Sequence, residues 1–444
     1  MKRKVAVLLI LSVIICTLCG CKVDLNKYSG TNIQGTSEVS ILDDVTCEGF
    51  EEVDRDLFSV SSDFETKPLR VGYESLSREE MKECYNRIDE SVFFVSAQDS
   101  DGYYKTRKVT LQNVTLSEAE LRVIIAAYFG DNPQIFWLDN NFEYASNEKK
   151  TVLQFTSFLS ASEIEEDAEK LRDVTDQIMN GISSDFSEYD RELYLHDVLI
   201  ESCEYDEEVS SIEDNFRAFT VVGALLDKSA VCEGYSRAYQ YLLSVAGIES
   251  YCVLGTGEDE LHMWNAVSIC DNWYYVDTTW DEDEDGGVCY DYFNMSSEQI
   301  EASHIVNDDF TVFSDEEICG DEYTPPQSFN IASFDCNDES LSYHMQNGLC
   351  IDGIGAGNKE RLTQEIVRKA EEAEGEKFTL YLWIDTDYLD YDYAVNNIFY
   401  SGEYLIFHAI DSANYRMYKT VDRDSVSIRK IPELSAVNVY LTLE

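Results

Sequence analysis

Three short blocks of this chain hold the residue types that nucleophilic chemistry needs. Cys232 lies in Ala230-Val231-Cys232-Glu233-Gly234-Tyr235-Ser236 and His262 in His262-Met263-Trp264-Asn265-Ala266-Val267. Asp277 lies in Trp273-Tyr274-Tyr275-Val276-Asp277-Thr278-Thr279-Trp280. A thiol becomes a strong nucleophile when a base takes its proton, and an imidazole serves as that base when a carboxylate fixes its tautomer. In the order Cys, His, Asp, the three supply a nucleophile, a general acid–base and an orienting acid. The chemistry to expect is acyl transfer or hydrolysis through a thioester. Taken singly, each has a plainer reading: an inert core thiol, a structural histidine, a turn-capping acid. Three in well-formed blocks weigh against that.

The elements that must position them can be read from periodicity. After Cys232, the apolar residues Tyr235, Ala238, Tyr239, Leu242, Leu243 and Ala246 recur at helical spacing, and Gly247 stops the run. Cys232 therefore starts a helix, where unpaired N–H groups and the positive end of the macrodipole favour thiolate over thiol. The same N–H groups can hold an oxyanion. Gly234 leaves room close to the nucleophile. Strands are expected over 250–254, 263–269 and 273–277, with Asp271-Asn272 turning a tight hairpin between the last two. His262 starts one hairpin strand and Asp277 ends the other, so the two meet at one edge of the sheet with the helix packed on its face. Trp264 and Trp280 are expected to pack in the core rather than to wall a cleft. His196, on a helix over 189–203, is expected to be a helix-packing residue rather than a catalytic one.

The same blocks resemble the transglutaminase-like superfamily, a papain-like cysteine fold. The resemblance rests on Cys232 at a helix start, on His262-Met263-Trp264-Asn265, and on Asp277-Thr278-Thr279-Trp280, with Leu195-His196-Asp197 through Tyr205-Asp206 as the lead-in. It covers about 185–285. It implies an α+β fold with helices on an antiparallel sheet, and a Cys232–His262–Asp277 triad that attacks a carboxamide or peptide carbonyl. It implies no cofactor. It does not name a substrate, because cross-linkers, deamidases, peptidases and members without catalytic residues share the fold.

The start of the chain bears on where this chemistry would take place. Lys2-Arg3-Lys4 precedes an apolar run over 5–18 that only Ser12 and Thr17 interrupt, and Leu18-Cys19-Gly20-Cys21 closes it. That is a secretory signal by charge, length and small-residue exit. Its end resembles the lipobox of bacterial lipoproteins, which implies a lipid on Cys21. The rival, an uncleaved anchor helix, needs roughly 20 apolar residues, more than are present. Either way the body of the chain is expected outside the cytoplasm, tethered to a membrane, with peptide or protein substrates of the cell envelope as partners. The net charge of −54 argues against nucleic acid and against anionic membrane surfaces. Setting aside Cys16, Cys19, Cys21 and Cys232 leaves nine of the thirteen cysteines, an odd number with no framework spacing, so free thiols are expected.

With 444 residues, several domains are expected. The divisions are a signal over 1–20, a Ser-, Thr- and acid-rich tether over 21–66, and a mixed α/β region over 67–160. A catalytic domain over 161–325 follows, and a small α/β domain over 326–444 begins after Pro325-Pro326. In the second region, strands are expected over 92–95, 103–111 and 151–159, and a helix over 117–129 capped by Ser117 and stopped by Gly130. A helix over 162–179 takes Ser162 and Glu165 as its capping box. In the last domain, a helix over 359–374 is expected between strands over 378–383, 404–409 and 437–441. Asp281-Glu282-Asp283-Glu284-Asp285-Gly286-Gly287 begins like a calcium loop, but Tyr292 stands where a bidentate Glu belongs. A solvated acidic loop is the reading adopted, and no metal is assigned. The alternative for the whole chain is a binding or scaffold lipoprotein that uses the same fold without catalysis.

Overall fold

Burial of one apolar stripe closes the helix Cys232–Val245, the central element of the fold. Tyr235, Ala238, Tyr239, Leu242, Leu243 and Ala246 have no exposed surface. The helix ends in a Schellman motif: Ile248 N–H donates to the Leu243 carbonyl and Gly247 N–H to that of Ser244, with Gly247 at φ 74°. The computed structural model of the chain describes residues 49–59, 70–99, 102–306 and 333–444, apart from 213, 259, 284–286, 374, 402 and 403, together with 35–37, 41 and 64. The signal segment, Cys21 and Pro325-Pro326 lie outside the described residues, and among these no helix is long and apolar enough to cross a membrane.

The helix packs on a four-stranded sheet in the order Asn272–Val276, Glu260–Ile269, Glu249–Gly257, His304–Val306. All its pairings are antiparallel. Side chains alternate between faces. Asn265 and Val267 point toward the helix, where Asn265 Nδ2 donates to the Ser236 carbonyl at 2.9 Å. Trp264 and Tyr275 point the other way, into a cluster with Met295, Ile431 and Leu434. The hairpin turn is Cys270-Asp271, both at positive φ, rather than Asp271-Asn272; Ile269 and Asn272 are its closing pair. Positive φ at both central residues matches the right-handed twist of the strands, which is what a two-residue hairpin requires.

Around this unit the fold is mixed α+β. In the N-terminal region, the strands Leu138–Asn147 and Lys150–Ser157 form a hairpin flanked by Gly35–Ser37, Tyr104–Lys105 and Val109–Gln112. The single strand expected over 103–111 is thus two short ones, both on Lys150–Ser157. Helix Glu118–Asp131 has the capping box of Ser117 and Glu120, but it runs through Gly130 because the buried Asp131 accepts from Gly72 and Tyr73 N–H and from the Tyr85 hydroxyl. The next helix, Ala161–Met179, starts one turn-third earlier than expected: Ser160 and Glu163 form its capping box, not Ser162 and Glu165. The C-terminal sheet runs Leu349–Ile351, Lys377–Ile384, Ala436–Thr442, Ser427–Ile431. Residues 404–409, expected as a strand, open the helix Leu405–Asn414, whose Leu405, Ile406, Ala409, Ile410 and Ala413 bury a 3–4-spaced stripe. A six-residue window does not separate the two periods; the next four residues do.

Gly234 has a different cause from the one expected. A Cβ there would lie 2.3 Å from the Ala218 carbonyl oxygen and 2.8 Å from the Ala230 Cβ, so the space beside it is filled by packing and not left for substrate. Gly234→Ala is therefore expected to lower stability by about 1–3 kcal/mol through overpacking, read as a fall in the urea midpoint of the full chain.

Candidate active site

The hairpin register decides how the site is assembled. Asn265 pairs with Val276, so the next step sets Asp277 opposite Trp264 and diagonal to His262 on one face. Diagonal neighbours across an antiparallel pair are within reach of a long side chain. His262 Nε2 meets Asp277 Oδ2 at 2.6 Å. The other oxygen of Asp277 accepts from the Thr279 and Trp280 amides at 2.9 and 3.2 Å. With Nε2 committed, Nδ1 is the nitrogen left to face the Cys232 thiol, which lies close enough to His262 to act on its charge. The structure thus brings together the three residues expected to form the triad. Each comes from a different local cause: a helix start, a strand, and the turn that follows a strand.

The environment separates the charges. Burial opposes a charge on Asp277, yet His262 and His304 outweigh it and hold the carboxyl well below the usual carboxylate range. Burial also opposes a charge on His262, but the Asp277 carboxylate and Cys232 beside it push its pKa up to about 10. The imidazole therefore keeps its proton through neutral pH. Trp280 stacks on His262 with ring centroids 5.2 Å apart, and Trp264 is fully buried in the core.

Cys232 opens into a cleft of ≈ 390 Å³ whose wall includes Tyr205, Val209, Phe219 and Leu261, with Asp206, Glu207 and Glu260 beside them. The N-cap of the helix is Val231, which has no side-chain acceptor for the first-turn amides. The Cys232 N–H thus remains available to a developing oxyanion.

Sequence reasoning missed His304. Its Nε2 lies 3.0 Å from the same Asp277 Oδ2 that His262 contacts. The ligand atoms of His262, Asp277 and His304 lie within 4.8 Å of one another, the set among the described residues that could approach a metal ion. The 2.6 and 3.0 Å contacts have the lengths of N–H donors on one carboxylate oxygen. A three-residue strand, His304–Val306, carries His304, and so short a run leaves no period to read.

Two other expectations come out differently or more fully. Asp281, placed in a solvated loop by its sequence, is buried: it accepts from the Tyr292 amide at 2.8 Å and contacts His196 Nε2 at 3.1 Å. Its neighbour Glu282 accepts from the Tyr235 hydroxyl at 2.8 Å. His196 is the buried helix-packing residue expected, against Tyr239, Tyr290 and Phe293. Cys84, Cys203, Cys289 and Cys336 are buried free thiols.

The pH dependence of stability follows from these shifts. His262 is raised above its unfolded value of about 6.5, so its contribution is complete below that pH and is lost as pH rises through about 10. Asp277 is depressed, so its contribution is present above the unfolded value of about 3.9 and is lost only in strong acid. Asp277→Asn is therefore expected to flatten the fall in unfolding free energy between about pH 6.5 and 10 relative to the parent chain. Denaturant titrations at a series of pH values read that difference; parallel curves would contradict it.

None of the curated proteins matches the chain. Solved structures that match include one described as a TGase, at 13% identity over 39% of this chain and 50% of that one, with a TM-score of 0.24. Another is described as a candidate cysteine protease from Cytophaga hutchinsonii, at 15% identity over 30% of this chain and 55% of that one, with a TM-score of 0.21. The chain thus spans about half the length of the structures it matches. Residues 172–278, which hold Cys232, His262 and Asp277, match the transglutaminase-like superfamily, and the chain carries a domain of that superfamily.

Proposed function

We propose that this chain is a thiol enzyme of transglutaminase-like type that transfers or hydrolyses acyl groups at amide or peptide carbonyls. The observation that carries the reading is a buried imidazole held between a helix-start thiol and a carboxylate, at the end of an open cleft. Cys232 Sγ adds to the carbonyl carbon, and the oxyanion so formed is met by the Cys232 N–H. An imidazole that holds its proton through neutral pH is ready as the general acid. His262 gives that proton to the departing amine or ammonia as the C–N bond breaks, which leaves a thioester. It then takes a proton from water or an amine, which attacks the thioester and restores Cys232. Asp277 keeps the ring in one tautomer and one plane throughout.

The substrates we propose are peptides or proteins of the cell envelope. The acids at the cleft, Asp206, Glu207 and Glu260, disfavour an acidic acyl donor. Neutral or cationic segments are the better fit. We further propose that lipidated Cys21 tethers the chain on the outer side of the membrane. The basic n-region, the apolar run and the closing Leu18-Cys19-Gly20-Cys21 support this. Cys21→Ala is expected to release the chain from the membrane fraction and to abolish incorporation of a labelled fatty acid.

The test of activity uses the chain without its first 21 residues, a peptide library and a primary amine, read by mass spectrometry. Amine addition, deamidation or cleavage is expected, absent in Cys232→Ala and lowered about 10³- to 10⁴-fold in Asp277→Asn. Iodoacetamide is expected to label Cys232 well ahead of the other cysteines. Equal, slow labelling of all of them would overturn catalysis in favour of a binding protein.

A further inference from the structure

Two histidines hold the Asp277 carboxylate. His262 and His304 both point Nε2 at Oδ2, at 2.6 and 3.0 Å, while Oδ1 takes the Thr279 and Trp280 amides. We propose that His304 is a positioning residue of the thiol site: it anchors Asp277 so that His262 is held in register with Cys232. The proposal rests on the catalytic reading above.

The sheet is built to let His304 reach. Its strand pairs with the far edge of Glu249–Gly257, Gly257 opposite His304 and Gly255 opposite Val306, whereas Asp277 follows the opposite edge strand. Of the two strands between them, Glu249–Gly257 carries glycines on that face at its end nearest His304, Gly255 and Gly257. A Cβ at Gly255 would lie 2.5 Å from the Trp264 ring, and one at Gly257 would lie 2.7 Å from that of Trp280. Two glycines, spaced by two, clear the strip that the rings of His304, Trp264 and Trp280 cover. Trp280 and Trp264 then confine the His304 ring, with centroids 4.3 and 4.9 Å away.

Donor and acceptor counting places a proton on its Nε2. Ionised Asp277 only accepts, so His304 must present Nε2–H. Nδ1 lies 2.8 Å from Ser303 Oγ, a hydroxyl that can donate to it. An Nε2–H aimed at Asp277 meets the first contact, and Ser303 Oγ, which also lies 3.4 Å from the Ile300 carbonyl oxygen, meets the second. Such a donor fixes the direction of the carboxylate. All four acceptor positions of Asp277 are then taken, and the carboxylate cannot turn without breaking a bond. With His304 removed, one lone pair of Oδ2 is orphaned in the interior, and the direction in which it holds His262 is no longer unique.

The test compares the full chain with His304→Gln, whose amide keeps a donor, and His304→Leu, which has none. The readout is the rate of Cys232 alkylation by iodoacetamide, which needs no substrate. His304→Leu is expected to slow it about ten- to a hundredfold, the usual cost of losing a group that orients a working imidazole. His304→Gln is expected to restore most of that loss, which a role confined to core packing would not produce. Nitrogen-15 spectra of the histidine rings are expected to show a proton on His304 Nε2. Unchanged alkylation in a folded His304→Leu chain would overturn the proposal, as would a His304 ring with no proton on Nε2, a result that stands even if the leucine variant fails to fold. Slow Cys232 labelling in the parent chain would instead overturn the catalytic reading beneath it.

Discussion

A fully buried carboxylate at Asp277 is the constraint on which the site depends. A charge without solvent costs several kcal/mol unless its lone pairs are met. The structure meets them from three directions: the turn that follows the hairpin, the strand that carries His262, and the edge strand that carries His304. The turn and the edge strand are short, whereas the strand of His262 is long and paired on both sides, and together they keep the carboxylate ionised. The sheet order, the two-residue hairpin and the bare strip at Gly255 and Gly257 all act through this one group.

Behind the site lies a second buried charge, next to contacts with the C-terminal sheet. Burial opposes a charge on His196, but Asp197 and Asp281 push it up to about 9. Tyr290 packs on that imidazole and stacks on Tyr343 of the C-terminal region at 3.6 Å. The adjacent Asp291 accepts from Asn438 Nδ2 at 2.7 Å and pairs with Arg429 at 2.9 Å. The acidic segment that follows the triad is thus an internal connection. Asp281 is spent on His196, and Asp291 on the C-terminal sheet.

Much of the site was legible because its signals are local. The helix after Cys232 announces itself through Tyr235, Ala238, Tyr239, Leu242 and Leu243, all of them buried. The hairpin is marked by two runs with the alternation of a sheet, and its turn was misplaced by one residue because Cys270 is an unusual bearer of positive φ. At Gly234 and Asp281 the deciding neighbour is distant in the chain, Ala218 and His196, whereas the run at 404–409 is decided by the helical residues directly after it.

The sequence by itself determined the residue types of the triad, their order, and the elements on which Cys232 and His262 lie. Those follow from spacing, and spacing is a property of the chain. Only the tertiary structure decided that Asp277 is shared by two histidines, that Asp281 and Asp291 turn inward, and that the cleft at Cys232 is lined by Asp206, Glu207 and Glu260. The physical reason is the same in each case. A buried charge selects its partners by distance in space, and the residues that satisfy it lie as far apart in the chain as Asp291 and Asn438.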